Sequence, residues 1–199
     1  MVGTIDGAAR VRAHPEGLAL GGDTSLVERA RTGDEAAFTA LIVQRQDQLY
    51  RLAWSILRDD GDALDAAQET CIAAWRELPS LRDPERFDAW LSRSLVNRCR
   101  DVLRRRRRTR IREIRLETDP PSSAASPGGV GDEFMGSDAI RHAFGSLKAD
   151  DRLYLALHYA EGRSVAEIAT LVHAPEGTVK WRLSRARKAL ERQLARAQR

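Results

Sequence analysis

The sequence predicts an all-α protein built as two helical domains joined by a flexible linker. Three observations predict it. Apolar residues recur three and four apart through both halves of the chain, as on one face of a helix. No Val-, Ile- or Thr-rich run alternates as a strand would. The stretch "ETDPPSSAASPGGVGDE", Glu117 to Glu133, is too rich in Pro, Ser and Gly to bury enough apolar surface to offset its ordering entropy. The expected division is a flexible tail over 1–23, a first domain over 24–108, a linker over 109–136 and a second domain over 137–196.

In the first half, a short helix is expected from Leu26 to Arg31. Asp34, after Gly33, can cap one long helix carrying Phe38, Leu41, Ile42, Leu49, Leu52, Ala53, Ile56 and Leu57. Asp62 can cap the next, which Pro79 stops after Leu78. Its core face reads as Leu64, Ala67, Cys71, Ala74, Trp75 and Leu78. The third main helix starts near Pro84 and runs into five consecutive arginines, Arg104 to Arg108.

Four helices are expected in the second half. Two cover roughly 138–147 and 151–160. A third starts at Ser164, where Ser164-x-x-Glu167 forms a capping box and Val165, Ile168, Ala169 and Val172 form an apolar stripe. The fourth follows "VHAPEG", with Pro175 suited to a first helical position.

Bulk properties narrow the function classes. The 199 residues carry a net charge of +4, with 42% hydrophobic and 31% charged residues, as in a globular protein. The charge is local. Ser164 to Arg199 holds eight basic residues against three acidic ones, whereas Asp59, Asp60, Asp62, Asp65 and Glu69 reverse the sign. Two basic faces and an acidic one point to more than one kind of partner. Cys71 and Cys99 form no CxxC and fit core positions in a reducing compartment. His14, His142, His158 and His173 have no metal-ligand spacing. No nucleotide loop or catalytic triad is present, so no catalytic residue, metal or cofactor is expected. No signal-peptide core and no run near the roughly 18 apolar residues of a membrane span occurs. The expected location is the cytoplasm, without membrane insertion.

Helical faces sharpen this. In the last helix Val179, Leu183, Ala186, Leu190 and Leu194 share one side. Thr178, Trp181, Arg185 and Lys188 lie almost opposite, flanked by Lys180, Arg182, Ser184 and Arg187. Two short helices with a basic second member make a helix-turn-helix, whose second helix enters the major groove. Arginine there can bridge guanine edges, and flanking Lys and Arg can neutralise phosphates. The plainer reading is a helical hairpin in an ordinary bundle. In the helix before the arginine block, Phe87, Leu91, Ser94, Arg98 and Val102 lie near one side, and Arg93, Asn97, Arg100 and Arg104 on another. Arg98 falls near the apolar side, where it either snorkels or pairs with Asp101. The acidic helix presents Asp65, Glu69, Ile72 and Arg76, with Gln68 beside them. That mixed face suits a protein partner better than DNA; a solvated face with one stray Ile is the alternative.

"DALDAAQETCIAAWRELPSLRD" followed by "FDAWLSRSLVNRCRDVLRRRRR" resembles the region-two domain of sigma-70 family factors, and "GRSVAEIATLVHAPEGTVKWRLSRARKAL" resembles their region-four helix-turn-helix. With no segment of region-three size between them, the layout is similar to that of the extracytoplasmic-function (ECF) sigma factors of bacterial RNA polymerase. The resemblance covers about residues 24–196, omitting the linker. It implies a factor that binds core RNA polymerase, brings it to a two-part promoter and helps open the duplex. Asp65, Gln68 and Glu69 match the family's DxxQE pattern for docking on the clamp helices of the largest subunit, with Ile72 and Arg76 on the same face. Pro79–Arg86, with Arg82 and Arg86, resembles the loop that captures an unstacked base of the −10 element, an extrusion that pocket contacts must offset. Arg93, Asn97, Arg100 and Arg104 would grip DNA there. Thr178, Lys180, Trp181, Arg182, Arg185 and Lys188 would meet the −35 element. The polymerase β flap and an anti-sigma protein are the further partners it implies. The chain departs from the family at Trp181, where a small residue is common, and at Ala174, where a polar cap is usual, so the −35 preference does not carry over. A stand-alone helix-turn-helix regulator is the rival reading, and the Asp65, Gln68 and Glu69 face discriminates the two.

Overall fold

The computed structural model describes residues 23–116 and 138–197, and all secondary structure among them is helical. Helix α1 (Asp23–Arg31) turns through Gly33, whose φ of +99° favours glycine, into α2 (Glu35–Val43). Asp34 caps α2 by accepting from the Ala37 N–H at 3.0 Å, and Arg29 holds the same carboxylate at 2.6 Å.

The single long helix expected after Asp34 is two helices. α2 ends at Val43 and α3 spans Gln46–Leu57. Arg45 explains the break. Its buried guanidinium donates to the Leu41 carbonyl at 3.0 Å, and its own N–H bonds Ile42 at 2.9 Å. A continuous helix would give Leu41 to that N–H. Asp88 pairs with the same side chain, which lies over the Phe87 ring at 5.2 Å.

α3 closes on Arg58 in the left-handed region (φ 55°), with its guanidinium 3.9 Å from the Trp54 ring centroid. The next helix, α4 (Asp60–Glu77), is capped by Asp59 rather than Asp62; Asp59 accepts from the Asp62 N–H at 2.8 Å. The buried face of α4 also differs from expectation. Ala63, Ala66, Ala67, Thr70, Ala73 and Ala74 face the core, and Leu64 is 49% exposed. Small side chains let α4 lie close along α3, so the alanine stripe rather than the bulkier Leu64 turns inward. After 3₁₀ turns at Leu78–Ser80 and Pro84–Arg86, α5 runs from Phe87 to Leu116, continuing the helix beyond the expected linker boundary at 109.

The second half holds α6 (Asp138–Gly145), α7 (Ala149–Leu155), a π-helical turn (Ala156–Ala160), α8 (Val165–Val172) and α9 (Glu176–Ala197). The capping box forms: Glu167 N–H donates to the Ser164 hydroxyl at 3.2 Å, and the Glu167 carboxylate accepts from the Ser164 N–H at 2.8 Å. Its carboxyl is held below the ordinary glutamate range, first by the Ser164 hydroxyl and then by that N–H. His173, left-handed at φ 53°, turns the chain from α8 into α9.

The two halves share one core. Leu153, Tyr154, Leu157, Ile168, Leu171 and Val179 cluster with residues such as Leu49, Leu52, Leu95 and Cys99. Polar bonds stitch the seam. Arg152, buried, donates to the Ile56 carbonyl at 2.7 Å and to Leu147 at 2.5 Å. Burial, then Arg58 and Arg106, lower its pKa to about 10, so it stays a cation at neutral pH. Arg163 donates to the Ser92 hydroxyl at 2.7 Å, Arg93 meets His173 at 3.2 Å, and Gln48 pairs with Glu161.

Candidate nucleic-acid and polymerase interfaces

The helix-turn-helix of α8 and α9 has the two faces its periodicity predicts. Val179, Leu183 and Ala186 are buried, Leu190 and Leu194 half-buried. Thr178, Lys180, Trp181 and Lys188 are exposed. The arginines are placed differently from a free reading strip. Arg185 sits on the Asp151 carboxylate, with Nε at 3.1 Å and Nη2 at 2.5 Å from one oxygen. Arg182 bonds Asp150 at 3.3 Å. Both guanidinium carbons lie against the Trp181 ring, 5.5 Å from its centroid for Arg182 and 5.1 Å for Arg185. The sequence reading missed Asp150 and Asp151. Their position in the first turn of α7 resembles ordinary N-terminal acidity, and only packing of α7 against α9 brings them to the arginines.

On α4, Asp65, Gln68, Glu69, Ile72 and Arg76 are all exposed. Leu64 joins them, so two exposed aliphatic side chains, Leu64 and Ile72 at 53%, stand one turn either side of Gln68. Glu69 accepts from Arg98 at 2.9 Å. Arg98 thus pairs with Glu69 rather than with Asp101, which pairs with Arg104. Cys71 is half-buried and Cys99 buried, and burial pushes the Cys99 thiol up to about 12.

The α5 residues form a longer basic face. Asn97 and Arg104 are exposed and Arg100 and Arg93 half-buried, while Leu91, Leu95, Val96 and Cys99 fill the core behind them. Arg82 and Arg86 are exposed on the preceding loop, with Arg86 on Asp83 at 3.0 Å. In the arginine block, Arg106 donates to the Leu57 carbonyl at 3.1 Å and pairs with Asp59 and Asp62. Among the described residues no group of His, Cys, Asp and Glu could hold a metal ion, and no helix is long and apolar enough to cross a membrane.

The family model for sigma-70 region 2 matches residues 41–109, and that for sigma-70 region 4 matches residues 137–190. The ECF RNA polymerase sigma-E factor of Salmonella typhimurium is 33% identical over 177 residues, covering 85% of this chain and 92% of that protein. The chain belongs to the sigma-70 family of RNA polymerase sigma factors. Two solved structures share its fold. CnrH in complex with the cytosolic domain of CnrY is 28% identical at a TM-score of 0.61, covering 87% of this chain and 97% of that one. RpoE in complex with the anti-sigma factor NepR from Bartonella quintana is 27% identical at a TM-score of 0.64, covering 79% and 96%. As an ECF-type sigma factor the protein directs core RNA polymerase to promoter DNA for transcription initiation. Sigma factors are not enzymes in general.

Proposed function

We propose that this sigma factor divides its work among three faces. The α4 face of Asp65, Gln68, Glu69, Ile72 and Arg76, extended by Leu64, docks on the clamp helices of the largest polymerase subunit. Arg82, Arg86, Arg93, Asn97, Arg100 and Arg104 hold the −10 element. Thr178, Lys180, Trp181, Arg182, Arg185 and Lys188 form the side of α9 turned toward the −35 element, and the second domain also meets the β flap. The working units are a tail over 1–23, a first domain over 24–108, a linker over 109–136 and a second domain over 137–196. The factor acts in the cytoplasm, without a catalytic residue or cofactor of its own.

The exposed Leu64–Gln68–Ile72 row carries this reading. Two aliphatic side chains rimmed by Asp65, Glu69 and Arg76 make the mixed surface of a protein interface rather than of a DNA contact. An anti-sigma protein, as in the RpoE–NepR complex, would compete for such surfaces.

Binding to sigma-free core polymerase tests the assignment. Asp65→Arg reverses a charge on an exposed position and leaves the α4 alanine face intact. Core affinity is expected to fall at least tenfold, with an unchanged melting temperature and unchanged binding to isolated DNA. Wild-type core affinity in this variant would remove α4 from the docking surface. Absence of promoter-specific starts with wild-type holoenzyme would remove the promoter assignments.

A further inference from the structure

We propose that Trp181 is the base-contacting side chain of α9, that Asp151 positions it by holding Arg185 away from the bases, and that its target is the 5-methyl group of a thymine in the upstream promoter element. This rests on the reading that α9 enters the major groove.

Trp181 is 57% exposed and packs on no core, so burial does not explain it. Its neighbours are the guanidinium groups of Arg182 and Arg185. Those groups are already engaged. Arg185 offers two N–H groups to one oxygen of Asp151, and Asp151 is only 5% exposed. Swinging Arg185 out to a guanine would strip a buried carboxylate of its partner, which costs more than one bidentate base contact returns. Arg182 makes a single 3.3 Å bond to Asp150, whose carboxylate is exposed, so its tie is looser than that of Arg185. The arginines therefore act on the indole: two cations against its π-face restrict the ring and support it as a platform.

What such a platform can read follows from groove chemistry. The indole N–H is a donor without an acceptor, and the ring offers apolar surface. The apolar group displayed in the major groove is the thymine methyl. Thr178 and Lys188, exposed on the same strip, remain for polar and phosphate contacts.

The test uses holoenzyme and a promoter duplex selected by it from a random library, with each upstream thymine replaced in turn by uracil. This removes one methyl group and no hydrogen-bonding atom. Wild-type binding is expected to weaken about fourfold at one or two positions, the size of burying one methyl group. Trp181→Ala should bind thymine and uracil duplexes equally. Asp151→Asn should shrink the methyl effect and, in a repeated selection, add a guanine preference near that position; a merely structural Asp151 would weaken both duplexes alike. Uracil neutrality at every position with wild-type protein overturns the proposal, as does an unchanged methyl effect in Trp181→Ala, a surface change that leaves the core untouched. Failure to select any upstream sequence would instead remove α9 from the groove and take this inference with it.

Discussion

Glu167 shows how one side chain fixes where the helix-turn-helix begins. It accepts from both the N–H and the hydroxyl of Ser164, and its own N–H returns a bond to that hydroxyl. Those bonds favour the ionised carboxylate, so its folded pKa lies below the unfolded one. The stabilisation is complete above the usual glutamate range and is lost as pH falls through the depressed value. Glu167→Gln is therefore expected to destabilise the protein by about 0.5–1 kcal/mol at pH 7, with the difference shrinking toward pH 3. Urea unfolding of both proteins at the two pH values checks this; a gap that widens in acid would contradict the assigned bonds.

At the scale of elements, the alanine face of α4 decides which residues a partner can reach. Ala66 is 2% exposed and lies on the side packed against the rest of the first domain. Ala66→Leu would force α4 outward and is expected to cost about 1–3 kcal/mol, measured by thermal unfolding; Leu64→Ala on the opposite side should leave stability nearly unchanged. The same helix shows what was legible beforehand. The capping box and the Val179, Leu183 and Ala186 stripe were readable because local spacing alone specifies them. The α4 face was misread because alanine and leucine both score as apolar, and only the proximity of α3 decides which turns inward. The α2–α3 break was hidden because it depends on Arg45 meeting Asp88, 43 residues away. Candidate site residues could be placed on faces from periodicity, but the partners of Arg98, Arg182 and Arg185 are set by neighbouring helices that periodicity does not see.

For the whole molecule, the shared core and the Arg152 bond to Ile56 bring the two domains together. Elements centred at −10 and −35 are separated by 25 base pairs, roughly 85 Å of duplex. A packed chain of this length has a radius of gyration of about 16 Å. The two proposed DNA faces therefore cannot reach both elements while the seam is closed, and Arg93, proposed for the −10 element, is itself engaged by His173 there. Small-angle scattering is expected to give a compact free protein, and distance measurements between labelled domains should report separation in the promoter complex. Arg152→Met, which keeps bulk but removes the donors to Ile56 and Leu147, should expand the free protein. A free wild-type protein already extended would contradict the closed seam.

The arginine block has one more consequence, for counterions. Arg104 already holds Asp101, and Arg106 already holds Asp59 and Asp62. Of the five arginines from 104 to 108, the other three pair with no acid among the described residues. Each phosphate neutralised by a bare cation releases about one condensed salt ion. A cation arriving with its own carboxylate exchanges one anion for another. The salt sensitivity of promoter binding would then register fewer than the five arginines of this block, and the acidic start of α4 would act as a built-in competitor of the DNA for Arg106.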